Sequence, residues 1–184
     1  MCHMANVDGF FAEMAAEINE HLQTYIKTDG KEGYYRDLSG APGGGDPKSV
    51  TLILRTRGRK SGEIRLTPLL YNHWKDEFVI VASKAGADEH PAWFLNMTAA
   101  KAVDVQIKNR RYRCTWRVSE GSERAKIWPF MVDYYPPFHA YQARTQREIP
   151  VVVLTPGEEI EEKFELSAST GVDAPSDPRM ARGT

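Results

Sequence analysis

LILRTRGRKSGEIRLTPLLY, residues 52–71, decides the fold. It opens inside an apolar, β-branched run from Ser49 to Thr56 and closes inside a second run from Glu63 to Asn72. Two such runs joined by a short glycine-bearing turn read as a β-hairpin. The turn is dense in cations: Arg55, Arg57, Arg59, Lys60 and Arg65 fall within eleven residues. Gly58 and Gly62 let the backbone expose its amides, and Ser61 adds a hydroxyl. Arginine offers paired donors to phosphate or carboxylate, and lysine supplies a point charge. The turn therefore suits an anionic ligand arriving end-on. At this level a cofactor phosphate, a nucleic acid, an acidic peptide and a purely solubilising hairpin tip all remain open.

Outward from the hairpin, more strands follow. Glu77 to Ser83 is short and apolar, Val103 to Ile107 and Arg111 to Ser119 alternate, and Pro150 to Leu154 is the last. Asn109-Arg110 can turn between the two alternating runs. Six short strands with turn signals between them suggest a barrel more than a parallel βαβ sheet. Helices are expected at Asp88 to Thr98, at Ser122 to Tyr134 and, after Tyr135-Pro136-Pro137, at Phe138 to Arg147. Val7 to Lys27 is amphipathic at helical spacing, with Phe10, Met14, Ile18, Leu22 and Tyr25 on one face and Asp8, Glu13, Glu17 and Glu20 on the other. This helix reads as a packing helix, a lid or a peripheral contact with the inner face of the cell membrane. An acidic polar face suits an anionic bilayer poorly. Gly30 to Pro47 is a glycine-rich loop. The organisation expected is 1–48 for the helix and loop, 49–156 for the folded domain and 157–184 for a flexible, charged tail.

Composition narrows the function classes. The chain has 184 residues and a net charge of −1, from 24 basic and 25 acidic residues. That balance argues against a general nucleic-acid binder. The two cysteines, Cys2 and Cys114, make no disulfide framework and no metal-ligand spacing, so a reducing cytoplasmic setting is the default. No apolar run is long enough to span a membrane.

A second constellation ends the third strand. Ser83-Lys84-Ala85-Gly86-Ala87 leads into His90-Pro91-Ala92-Trp93-Phe94-Leu95-Asn96. A strand edge, a small-residue turn and a helix start can gather donors. No Ser/His/Asp or Cys/His nucleophile set is present, which a hydride-transfer enzyme does not need, because its cofactor carries the chemistry.

GRKSG with Arg65, followed by VIVASKAGADEHPAWFLN and VDVQI, resembles the deazaflavin-dependent nitroreductase family of actinobacteria, also described as coenzyme F-420-dependent quinone reductases. The likeness covers about Ser49 to Pro156. It implies a mainly β fold with helices, a split β-barrel related to flavin-mononucleotide-binding barrels. It also implies a cofactor, coenzyme F-420 (an 8-hydroxy-5-deazaflavin), with flavin mononucleotide the lesser alternative. By that resemblance Arg59, Lys60, Ser61, Gly62 and Arg65 hold the cofactor's phosphate and polyglutamate tail. Pro68 and Leu70 lie beside the deazaflavin, Ser83 and Lys84 near ring and phosphate, and Trp93 and Asn96 on a cofactor helix. Tyr135, Phe138 and Tyr141 match a tyrosine trio that lines the substrate pocket, here with the middle hydroxyl missing. The expected activity is hydride transfer from the reduced cofactor to a small conjugated acceptor, a quinone, enone or nitro-aromatic. Ser83 and Tyr135 are the candidate hydroxyl donors and Tyr141 the alternative. An F-420 or flavin carrier without turnover is the rival reading, against which the aromatic segment from Tyr134 to Tyr141 speaks.

Overall fold

The structure is a computed structural model that describes residues 7–40 and 44–167, with side chains from residue 15 onward. Its strands sort their side chains by the period of two that a pleated strand imposes. In β2 (Ser49–Arg57), Leu52 and Leu54 enter one buried cluster and Ile53 enters another. In β5 (Glu77–Val81), Phe78 and Ile80 face the same interior as Leu52, while Val79 and Val81 face outward. The last strand, β8 (Val151–Glu159), repeats this: Val152 and Leu154 go in, Val151 and Val153 go out. Both faces are covered, so these strands read as continuous apolar runs.

The remaining strands are β1 (Tyr35–Arg36), β3 (Ile64–Leu70), β4 (Asn72–Trp74), β6 (Ala102–Ile107) and β7 (Arg110–Val118). All pairings are antiparallel, in the order β1-β2-β6-β7-β8-β5-β4, with β3 also on β2. The sheet curls into a half-barrel, in keeping with the expected split barrel. Among the described residues, eight strands stand where six were expected. β1 is a two-residue pairing inside the glycine-rich segment, and β4 is set off from β3 at Tyr71. Neither carries a run long enough to be read by periodicity.

Helices close three sides. Trp93, Phe94 and Met97 of α2 (Ala92–Thr98) plug the barrel interior. Ile127 and Met131 of α3 (Gly121–Tyr134), with Phe138 of α4 (Pro137–Ala143), cover the outward valines. Leu22 and Tyr25 of α1 (Val7–Lys27) pack on Ile53 and Leu66. The buried Tyr25 hydroxyl fastens this helix: it accepts from the Lys108 amide (2.8 Å) and donates to the Thr51 carbonyl (3.2 Å).

Four expectations need correction. The helix expected from Asp88 begins only at Ala92, because Pro91 is extended (φ −62°, ψ 146°) and caps it from outside. The β6–β7 turn is Lys108-Asn109, not Asn109-Arg110, since Ile107 pairs with Arg110. The helix expected at Phe138 to Arg147 is shorter, Pro137–Ala143, and Tyr135 stands before it, between α3 and α4, with φ −138° and ψ 88°. The chain is not a flexible tail from Gly157 onward. β8 runs to Glu159, the Ile160 amide donates to the Arg111 carbonyl (2.8 Å), and Phe164 is buried against Leu22 and Ile53 under the Arg55 guanidinium (4.5 Å). Residues 168–184 of that expected tail lie outside the described residues.

Candidate functional site

The β2–β3 hairpin tip is built by its own hydrogen bonds. The Gly58 amide donates to the Glu63 carbonyl and the Gly62 amide to the Gly58 carbonyl, both at 2.7 Å. Gly62 has φ +72°, a left-handed conformation that favours glycine. The tip is anchored from α2: the Asn96 side-chain carbonyl accepts from the Arg59 amide (3.1 Å) and from the Arg59 guanidinium (3.3 Å). Asn96 is buried, so it positions Arg59 and fixes where the turn presents its cations.

Those cations do not act alike. Arg59 and Lys60 are exposed at the tip. Arg65 is shared with the Glu63 carboxylate at 2.8 Å. Arg57 donates back to the Gly62 carbonyl (2.6 Å). Arg55 turns to the opposite side of β2, where Asp104 (2.7 Å) and Glu162 (3.1 Å) hold it. The five-cation cluster of the sequence therefore divides between two faces: Arg55 and Arg57, two apart on β2, share one, and Arg65, paired with Thr56, takes the other.

The second constellation is a strained turn. Lys84, Ala85 and Gly86 take φ +45°, +52° and +82° in succession, which only the last adopts cheaply. Such strain persists where surrounding structure over-determines it. Here Arg147 does so. Its guanidinium donates to the carbonyls of Ala82 (3.2 Å), Ser83 (2.8 Å) and Ala87 (2.7 Å) and lies 3.3 Å from His90 Nδ1. Burial holds the Arg147 pKa below its ordinary value, yet that of a guanidinium lies so far above neutrality that it stays charged. Ser83 is left with its hydroxyl uncommitted to capping the turn. Lys84 meets Glu89 at 3.1 Å.

The third piece is an aromatic wall. Tyr135 and Phe138 meet edge to face at 4.9 Å, and the Tyr135 and Tyr141 hydroxyls lie 3.4 Å apart. Burial pushes the Tyr135 phenol well above the usual tyrosine range, with the Tyr141 hydroxyl adding to the shift. It is a proton-bearing donor at any physiological pH.

All three pieces line one cleft of about 830 Å³. Arg59, Lys60, Ser61 and Arg65 stand on the hairpin, Pro68 and Leu70 on β3, and Ser83 and Lys84 on the strained turn. Trp93 and Asn96 come from α2, and Tyr135, Phe138 and Tyr141 from the α3–α4 corner. Of the expected site residues only Gly62 stays outside it, on the groove behind the tip. Ile18 of α1 and Arg36 of β1 also line the cleft. Sequence reasoning passed over both, and Arg147 as well: each is a single residue in a segment without a motif, and only the folded chain brings it there.

The cleft has a direction. β1 pairs with the start of β2 (Arg36 opposite Ser49), the tip closes its far end, and Leu70 stands opposite Thr51. Leu70 thus belongs with the β1 end, while Arg59 and Asn96 mark the other. A planar ring with a long anionic tail fits this form: apolar and aromatic surface for the ring, exposed cations and Ser61 for the tail.

Comparison with known proteins agrees. The family model for F420H(2)-dependent quinone reductase matches residues 19–156. A Mycobacterium tuberculosis (H37Rv) protein named for the same activity is 39% identical over 115 residues, covering 62% of this chain and 97% of that protein. Another from the same organism, an F420H(2)-dependent quinone reductase, is 33% identical over 138 residues, covering 73% of this chain and 87% of the relative. Among solved structures, an F420-H2-dependent reductase superposes with TM-score 0.52 at 37% identity, covering 56% of this chain and 92% of that one.

Proposed function

The chain belongs to the F420H(2)-dependent quinone reductase family, and on that premise we propose that it reduces a quinone to its hydroquinone at the expense of reduced coenzyme F-420. The observation that carries this reading is one continuous cleft joining the cationic hairpin tip to the aromatic wall. When bound, the reduced deazaflavin supplies a hydride, and a proton completes the hydroquinone.

The protein's part is binding, orientation and hydrogen bonding. Arg59, Lys60 and Ser61 take the phosphate and polyglutamate tail, with Arg65 contributing in exchange with Glu63 and Lys84 in exchange with Glu89. Asn96 holds Arg59 in register. Pro68, Leu70 and Trp93 border the ring. Ser83 and Tyr135 donate hydrogen bonds to the acceptor oxygen as negative charge builds there, and Tyr141 backs Tyr135 through the contact between their hydroxyls. Phe138 shapes the wall and donates nothing.

The acceptor is a small molecule met in the cytoplasm. No helix among the described residues is long and apolar enough to cross a membrane. The second half of α1 spends Leu22 and Tyr25 on the sheet, so there it is a packing helix rather than a membrane face.

The test is a pair of titrations. The protein should bind F-420 at least ten-fold more tightly than flavin mononucleotide, since the tip presents more cation than one monophosphate needs. Lys60→Ala should weaken F-420 binding roughly ten-fold, as loss of one charge-assisted contact does, and more at low salt than at high. Arg65→Ala should cost less, because Glu63 already shares that guanidinium. Equal affinity for the two cofactors, with Lys60→Ala silent, contradicts the reading.

A further inference from the structure

A cation stands in the cleft far from the tip. Arg36 lines it from β1, beside Ile18 of α1. Eight residue steps along β2 separate its pairing partner Ser49 from Arg57 at the tip, roughly 26 Å at 3.3 Å per step. Two residues further on, Leu38 packs against the cluster that contains Tyr135 and Phe138. The guanidinium therefore sits at the end where the aromatic wall stands. Its charge also bears on the Tyr135 phenol, opposing the upward push of burial.

Arg36 is lightly committed within the protein. Its ion-pair partner is Glu17 of α1 at 3.8 Å, a carboxylate whose side chain is 72% exposed, while the Arg36 side chain is 28% exposed. An exposed pair at that separation contributes little and exchanges readily for a better anion. The other cations on the cleft, Arg59, Lys60, Arg65 and Lys84, lie on the tip, on the β3 end beside it, or against Glu89.

We propose that Arg36 sets acceptor specificity: it pairs with an anionic oxygen, a carboxylate or an ionised hydroxyl, carried by the quinone ring. This rests on the reading of the cleft as a quinone site. A planar guanidinium matches a carboxylate through two parallel donors. With Tyr135 donating at the reacting oxygen and Arg36 beyond it, such a ring is held at two points, which fixes its orientation toward the hydride. A neutral ring of the same size keeps only the first.

Redox-inert probes isolate the contact. Calorimetric titration of the F-420-loaded protein with 2-naphthoate and 2-naphthamide should show the carboxylate binding about ten-fold more tightly. Arg36→Met should erase that preference and leave F-420 affinity unchanged; Arg36→Lys should keep part of it. Glu17→Gln removes the internal competitor and should strengthen naphthoate binding a few-fold. Turnover should follow, with kcat/KM for carboxylated quinones falling about ten-fold more in Arg36→Met than that for neutral quinones of the same size. Equal binding of the two probes to the parent, or an undiminished preference in Arg36→Met, overturns the proposal. Repeating the titrations without F-420 separates the two readings. A naphthoate preference that depends on Arg36 in a protein that fails to bind F-420 retains this site and discards the cofactor assignment.

Discussion

Asn96 shows how much a single amide can do here. It is buried on α2, yet its carbonyl serves Arg59 of the hairpin tip twice, so it acts on the cofactor through another residue. Asn96→Ala should weaken F-420 binding several-fold and lower stability by about 1–2 kcal/mol, from two lost hydrogen bonds; cofactor titration and urea melts check both. Tyr135 acts directly. Tyr135→Phe keeps the wall and deletes the donor, so kcat should fall by about 10²–10³ if the hydroxyl serves only the transition state, with acceptor KM near that of the parent. A KM rise at constant kcat would assign it to ground-state binding instead. His21 makes a pH prediction. Burial first, then the nearby Arg36 charge, lowers its pKa from 6.5 to about 4, against a raising influence from Glu17. The folded state thus refuses a proton that the unfolded chain accepts below pH 6.5. Stability should be highest above that pH, fall between pH 6.5 and 4 and level off beneath, by about 1–2 kcal/mol once partial solvent access is allowed for. Denaturation midpoints of the parent and of His21→Gln across that window check it; the variant should show a flatter profile.

At the scale of elements, the strained turn and the α3–α4 corner form one unit. Gly86 approaches α4 so closely that a Cβ would lie 2.4 Å from the Tyr141 carbonyl oxygen, at a φ of +82° that already disfavours one. Gly86→Ala should therefore destabilise the fold by about 2–4 kcal/mol. It should also raise acceptor KM by moving Tyr141, as melting and steady-state kinetics would show. The turn also illustrates what the sequence could and could not convey. Its position was legible, because four of the five residues from Ser83 to Ala87 are small and lie between an apolar strand and a helix. Its left-handed path was not, because Lys84 and Ala85 are ordinary residues held there by Arg147, whose bonds to the turn span 60 to 65 positions. The long strands were legible, β6 and β7 through alternation and β2, β5 and β8 as continuous apolar runs, and β1 was not, since two residues carry no period. The segment after Gly157 was misread because its composition is charged. Phe164 beneath Arg55, Glu162 paired with Arg55 and the Ile160 amide on the Arg111 carbonyl dock it.

The whole molecule is a half-barrel whose hairpin, strained turn and helical corner converge on one cleft. The family resemblance named thirteen of its lining residues, with Gly62 the fourteenth expected residue left on the groove behind. What the motifs lacked was the third wall. α1 brings Ile18 and β1, by its pairing with β2, brings Arg36, both from outside the recognisable run. Arg55 illustrates the converse: it belongs to the basic run in the sequence but to Asp104 in the fold. The central claim is that this cleft couples reduced F-420 to a quinone, and one measurement addresses it most directly. Purified protein is mixed with reduced F-420 and excess menadione, and the return of oxidised deazaflavin absorbance is followed over many turnovers. The account predicts a rate proportional to enzyme, saturable in both substrates and sharply reduced in Tyr135→Phe. A rate no faster than the protein-free mixture, or an equal rate when reduced flavin mononucleotide replaces F-420, would contradict it.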